Sequence, residues 1–202
     1  MLLEVKERRL KFSTAAVMGI LNVTPDSFYD GGRYEDREDA VKHALEMIQQ
    51  GADIIDIGGE STRPGSKPVG AKEEQNRVLP VIAALRKMKQ DAVITVDTYR
   101  AQTAELAVKA GADMVNDISG GVFDGKMFET VSRLGAGMVI MHIKGTPGNM
   151  QDNPVYENGA ACEVGSFLKQ QADKAVAAGI KSGAIILDPG IGFGKTAAHN
   201  IE

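Results

Sequence analysis

Short, continuous apolar runs alternate along this chain with longer stretches in which apolar residues recur every three or four positions. Leu3, Val5, Leu10 and Phe12 mark an alternating segment over 3–12, which predicts a short antiparallel strand or hairpin ahead of the main fold. Val17 to Leu21 is the first continuous run, and it predicts a buried strand that gives way at Asn22 to a polar, glycine-containing loop. Asp36 then reads as an N-cap, and Ala40, Val41, Ala44, Leu45 and Ile48 form a helical stripe that closes at Gly51. The same unit recurs to the end of the chain. Strands are predicted at 53–57, 92–96, 113–115, 137–141 and 184–187. A second helix carries Val78, Ile82 and Leu85 on one face, with a break or kink expected near Pro80. Further helices run through Leu106 and Val108 to Gly111, from about 124 to 134, and from about 158 to 178. A sixth begins just before Glu202.

Strict alternation of strand and helix predicts a parallel α/β sheet, either an open doubly wound sheet or a closed (β/α)8 barrel. A doubly wound sheet gathers its ligand at one switch point, so only the strands beside that point should end in reactive side chains. Here all six main strands end in polar segments: Asn22, Glu60-Ser61-Thr62, Asp97, Asn116-Asp117, His142 and Asp188. A barrel places all such ends around one mouth, so the expected fold is a TIM barrel. Six βα units are present, and two more would take about 60 residues at about 30 per unit. Residues 1–202 are therefore expected to form a single barrel domain lacking its last two units.

Composition narrows the function. A net charge of -4 and a pI near 5.5 argue against a nucleic-acid partner, which favours a basic face. No apolar run of the length a membrane helix needs is present, and the N-terminus lacks a signal-peptide pattern, so the expected location is cytoplasmic and off the membrane. The single cysteine, Cys162, has no internal disulfide partner and is expected to be a small packing residue on a helix.

Candidate chemistry sits at the strand ends. The run from Asp188 to Thr196 fails as a P-loop, because Pro189 stands where a glycine is needed, and fails as a dinucleotide loop, because Lys195 does. What remains is a strand-end carboxylate followed by backbone able to approach a flat ligand closely. Asp56, inside its strand, needs donors if buried and reads as a supporting hydrogen-bonding residue. Asn22 offers a neutral oxygen that suits Mg²⁺ beside a phosphate. His43 and His199 fall on helices and are expected to be exposed, whereas His142 fits a site role and a structural hydrogen bond equally well.

The motifs in order are Asn22-Val-Thr-Pro-Asp-Ser-Phe28 with Asp30-Gly-Gly32, Asp56-Ile-Gly-Gly-Glu-Ser-Thr-Arg-Pro-Gly65, Thr95-Val-Asp97-Thr98, and Asn116-Asp-Ile-Ser-Gly120. Met141-His142 with Gly145-Thr-Pro147 and Met150-Gln151 follows, then Asp188-Pro-Gly-Ile-Gly-Phe-Gly194. From Val17 onward the chain closely resembles the dihydropteroate synthases, folate-pathway transferases that are the targets of sulfonamides. The resemblance implies condensation of dihydropterin-methyl diphosphate with 4-aminobenzoate, assisted by Mg²⁺, in a protein that is a homodimer at full length. It implies Asn22 as the metal contact and Thr62, Asp97, Asn116, Ile118, Met141, Asp188 and Gly192 around the pterin. Phe28, Thr62, Arg63, Pro64 and Phe193 would line the aminobenzoate slot, with Asp30 and Asp97 stabilising a pterin cation in a dissociative mechanism. Departures are mild: Ile191 replaces a common Phe, Tyr29 a Ser, and Ile143-Lys144 a Met-Arg pair. The family's Lys on a seventh strand and Arg-x-His on an eighth have no counterpart in the 202 residues. Two competing readings are a pterin-binding corrinoid methyltransferase domain and a truncated, non-catalytic pterin-binding remnant.

Overall fold

A computed structural model of the protein describes residues 2–6, 8–24, 33–61 and 68–202, with the side chains of 33–36 outside that description. An antiparallel hairpin comes first, β1 (Leu2–Val5) with β2 (Arg8–Lys11), and Leu3 lies opposite Leu10. Six parallel strands follow: β3 (Met18–Asn22), β4 (Ile54–Gly58), β5 (Val93–Asp97), β6 (Met114–Asp117), β7 (Gly137–Met141) and β8 (Ile185–Asp188). The helices between them are α1 (Arg33–Gln49), α2 (Ala71–Met88), α3 (Ala101–Ala110), α4 (Met127–Leu134) and α5 (Ala160–Ala177), and α6 (Ala197–Ile201) comes last.

Strand order decides the architecture. The six strands pair in sequence order, β3-β4-β5-β6-β7-β8. A doubly wound sheet would reverse direction part-way, so this single winding is that of a TIM barrel, here with six staves. β3 and β8 are its two edges, and Ile20 on β3 and Leu187 on β8 are exposed along them.

The alternation along each strand splits the core in two. Ile55, Ile57, Ile94, Val96, Val115, Met138 and Ile140 face outward and pack under the helices with Val78, Ile82 and Leu85 of α2. Ile54, Val93, Met114 and Val139 face inward, where Leu3 and Val5 of the hairpin meet them, flanked by Leu10 and Phe12. The hairpin thus plugs the N-terminal end of the barrel with side chains, which leaves the inward positions at the other end for polar residues.

Several expectations needed correction. Most main strands end one residue later than the apolar runs suggest, because a parallel ladder continues wherever neighbouring backbones pair, whatever the side chain. Asn22, Asp97 and Asp188 are consequently the last residues of their strands, held by the ladder. α1 begins at Arg33, ahead of Asp36, since an acidic residue suits the first turn of a helix as well as its cap. α2 runs unbroken through Pro80. Pro80 and Asn76, whose carbonyl loses its partner there, both lie on the exposed side, where that carbonyl is open to solvent. Cys162 is exposed, because α5 buries Ala160, Val164, Leu168, Gln171 and Ala175, and Cys162 falls off that stripe.

Candidate functional site at the strand ends

One row of backbone pairing carries much of the candidate chemistry. Asn22 lies beside Gly58, Gly58 beside Asp97, and Asp97 beside Asn116. Gly58 keeps the row open: a Cβ there would sit 3.4 Å from Asp97 Oδ2 and 3.5 Å from Asn22 Oδ1. Two residues further up the wall, Met141 pairs with Asp188, and Ile118 directly follows β6 at that height. Met141 and Ile118 are both buried. Asn22, Asp97, Asn116, Ile118, Met141 and Asp188 are therefore gathered at the C-terminal mouth of the barrel. Gly192 and Phe193 lie on the loop after β8. Phe28, Asp30, Thr62, Arg63 and Pro64 lie outside the described residues.

Below this row sits a buried polar layer. Asp56, 3% exposed, accepts a hydrogen bond from Thr95 Oγ1 and another, at 2.9 Å, from Asn116 Nδ2. Asp56 thus acts as the supporting residue its position in the strand suggests. Its carboxylate fixes which way the Asn116 amide points, because only the NH₂ donates. Asn116 Oδ1 is left buried with no partner among the described residues. Asp97 likewise receives no hydrogen bond from any described residue. Its burial, and then the negative charges of Asp56, Glu74, Asp117 and Glu60, hold its carboxyl well above the ordinary carboxylate range. Two acceptors that the protein leaves unserved, one of them a carboxyl whose ionisation is made costly, face a mouth able to admit a ligand with adjacent N–H donors.

The neighbouring carboxylates are satisfied within the protein. Asp117, fully buried, accepts from Ser119 N, Ser119 Oγ and Gly121 N, and burial raises it to about 6. It shapes the β6–α4 turn and points away from the row above. Glu60 and Glu74 hold Arg100, at 2.9 and 3.0 Å, between β4, α2 and α3. Sequence reasoning missed this pair, although a basic residue three positions after the strand-end Asp97 was a signal for it.

His142 resolves toward a structural role. It is 7% exposed, its ring meets Phe167 edge-on at 5.0 Å, and its Nδ1 lies 3.0 Å from Lys195 Nζ. Burial and then the Lys195 charge lower its pKa to about 4, with Lys144 adding to this and Glu163 opposing it. The folded protein thus resists protonation that the unfolded chain accepts near 6.5. Between those values the unfolded state binds more protons, so stability falls as the pH falls through that window. Urea titrations of the wild type and His142→Gln at pH 7 and 4.5 should show a smaller loss in the variant. Equal losses would refute the assignment. His43 is exposed as expected, whereas His199 is half-buried, capping α6 through Thr196 and meeting the Tyr156 ring edge-to-face at 4.9 Å.

For a metal, the described residues hold no cluster of three or more His, Cys, Asp or Glu side chains able to bind one. Asn22 Oδ1 beside the Asp97 carboxylate offers hard oxygens in small number. That set fits Mg²⁺, which keeps several waters and takes further oxygens from a phosphorylated substrate, and does not fit a resident zinc. A cavity of about 580 Å³ lies elsewhere, at the hairpin end of the barrel, lined by Lys6, Arg8, Ser132 and Lys181, and holds none of these residues. The described helices include none long and apolar enough to cross a membrane.

A family model described as pterin binding enzyme matches residues 18–202. The dihydropteroate synthase of Synechocystis sp. is 49% identical over 185 residues, covering 92% of this chain and 63% of that protein. The chain thus spans a little under two thirds of that relative's length. The Yersinia pestis dihydropteroate synthase, solved as a sulfonamide drug complex, superposes with a TM-score of 0.89 at 42% identity, covering 100% of this chain and 72% of that one. The Xanthomonas albilineans dihydropteroate synthase, solved with 4-aminobenzoic acid, does so with a TM-score of 0.88 at 39% identity, covering 99% and 70%.

Proposed function

The chain belongs to the pterin-binding enzyme family, and from that premise we propose that it serves the dihydropteroate synthase reaction. The observation that carries this reading is the pair of unserved acceptors, Asp97 and Asn116 Oδ1, side by side on adjacent strands inside the barrel. A pterin presents an amino-pyrimidinone edge with adjacent N–H groups, and a carboxylate accepts such a pair strongly. Binding would serve both acceptors and replace the water lost to burial. Asp188, level with Met141, adds a second carboxylate at the ring's rim, while Met141 and Ile118 supply apolar surface to its face. Gly192 would border the pterin and Phe193 the slot for 4-aminobenzoate, with Phe28, Thr62, Arg63 and Pro64 assigned to the same slot by resemblance.

The proposed course is dissociative. The bond between the pterin methylene carbon and the diphosphate oxygen breaks, and its electron pair leaves on the diphosphate. Mg²⁺ held in part by Asn22, when bound, would neutralise charge on that departing group. Ionised Asp97, with Asp30, stabilises the pterin cation that remains. The amine of 4-aminobenzoate then bonds to the methylene carbon and loses a proton. The same proposal assigns the whole protein a homodimeric state and a cytoplasmic location.

The test is product formation from dihydropterin-methyl diphosphate and labelled 4-aminobenzoate with Mg²⁺, followed by chromatography. Labelled dihydropteroate is the expected product. Pterin binding without turnover would reduce the assignment to a binding role. Methyl transfer to a corrinoid would replace it.

A further inference from the structure

Lys195 is a strongly perturbed group at the mouth of the barrel that the proposed chemistry does not use. It is 5% exposed, and it forms no ion pair among the described residues. Burying an ammonium without a counter-ion is costly, and a methionine of similar length would fill the same space without that cost. The three N–H groups therefore need an account. They find three close acceptors, His142 Nδ1 at 3.0 Å, Gly190 O at 2.9 Å and Phe193 O at 3.1 Å, with His142 O a longer fourth at 3.5 Å. All three donors of the ammonium are thereby used, and none is left for a ligand.

The bonds link two elements that the candidate site depends on. His142 follows β7 immediately, whereas Gly190 and Phe193 belong to the loop after β8. Gly190 turns one contact into the next: its N–H donates to Asp188 Oδ1 at 2.7 Å, and its C=O accepts from Lys195. Phe193 N–H donates back to Gly190 O at 3.0 Å. The loop can curl this tightly because Gly190, Gly192 and Gly194 adopt φ of 66°, 84° and 65°. It lies directly on the β7 end: a Cβ on Gly190 would strike the His142 carbonyl, and one on Gly194 would come within 2.5 Å of Lys144 O. Tyr156 Oη and Gln151 Nε2 hold the outer carbonyls of Gly194 and Gly192, while Lys195 grips the carbonyls of Gly190 and Phe193 from inside.

We propose that Lys195 is a positioning residue: its ammonium ties the 189–194 loop to the end of β7 and so sets the direction in which Asp188 and Phe193 meet a ligand. It acts through Asp188 and Phe193 and does not touch the ligand. The proposal rests on the pterin-binding reading of the mouth. It also fits a lysine whose pKa burial lowers to about 8, with Asp188 opposing that shift.

The experiment is a double-mutant cycle on binding of pterin-6-carboxylate, measured calorimetrically for the wild type, Lys195→Met, Asp188→Asn and the double variant. Lys195→Met is expected to weaken binding at least tenfold while still unfolding cooperatively. Added to Asp188→Asn, it should cost less than twofold more, because the group it orients is already gone. A folded Lys195→Met that binds within twofold of wild type, or strictly additive effects, would overturn the proposal. Should Lys195→Met fail to fold, nitrogen NMR of the His142 ring in the wild type decides the matter. An unprotonated, hydrogen-bonded Nδ1 supports the tripod, and a protonated Nδ1 refutes it. Failure of the wild type itself to bind the probe would instead overturn the pterin reading.

Discussion

Asp97→Asn is expected to lose at least about a hundredfold in kcat/KM and, at the same time, to make the unliganded protein more resistant to unfolding. The loss follows from the two N–H donors assigned to this carboxylate. Hydrogen bonds to a charged group contribute about 1.5–3 kcal/mol each, and two of them reach at least two decades. The amide keeps the shape of Asp97 and one acceptor oxygen, but it turns the other toward the ligand as a donor and removes the charge proposed to stabilise the cation. The gain in stability follows from the electrostatics of the empty site. Burial and four neighbouring carboxylates raise the Asp97 pKa well above 3.8, so the folded protein holds that proton more tightly than the unfolded chain does. Between the two values the folded state binds more protons, and the contribution to stability is lost as pH rises through the folded value. As pH rises above 3.8 the wild type therefore bears a growing cost that asparagine, which does not titrate, lacks. Thermal unfolding from pH 4 to 8 should show the variant's advantage widening as pH rises, alongside the collapse in turnover. A variant less stable than wild type at pH 8, or one retaining a tenth of its activity, would remove Asp97 from the centre of the site. Stability given up to keep a carboxyl unserved until ligand arrives is a recurrent mark of functional positions.

The strand ends were legible in the sequence because a side chain at the top of a barrel stave has no packing duty. An Asn or Asp closing an apolar run therefore stands out, as Asn22, Asp97, Asn116 and Asp188 do. The barrel was legible for the same reason, since polar ends on all six strands fit one shared mouth, and the sequential strand order bears that out. What was not legible is whatever depends on which side chains meet across the chain. Nothing in the pattern around Asp56 names Thr95 and Asn116 as its donors, 39 and 60 residues away. Lys195 looked like part of a failed nucleotide motif because its acceptors lie on backbone and on a histidine 53 residues earlier. Pro80 and Cys162 were misjudged by local rules that ignore which face of the helix meets solvent.

Asp113 was the least visible of these. It entered the sequence reading only as the residue that opens a strand after Gly111-Ala112. In the structure it is 5% exposed and joins four elements at the closed end of the barrel. Its Oδ2 accepts from Arg86 Nη2 of α2 at 2.6 Å and from Ile94 N of β5 at 2.9 Å, while Oδ1 lies 3.6 Å from Arg8 Nη1 of the hairpin. Arg86 also donates to Gly111 O, Gln90 O and Ala92 O, so its guanidinium is held in place and cannot swing out to water when its anion goes. Asp113→Ala should therefore leave a fixed, largely buried cation without a counter-ion and the Ile94 N–H without an acceptor. Removing one partner of such a pair costs about 3–5 kcal/mol, and the partial exposure of Arg86 puts the expectation near about 3. For a chain of this size that is a fall in Tm of about 6–12 °C. Arg86→Met should restore part of the loss in the double variant, because the stranded charge is then absent. The residue sits at the opposite end of the barrel from Asp97, so kcat/KM measured well below the melting range should stay within about twofold of wild type, as distant sites are nearly independent. A Tm within 2 °C of wild type would show that the node is incidental. A fall in kcat/KM matching the Asp97 variant would show that the two ends of the barrel are coupled, contrary to the independence argued from their separation.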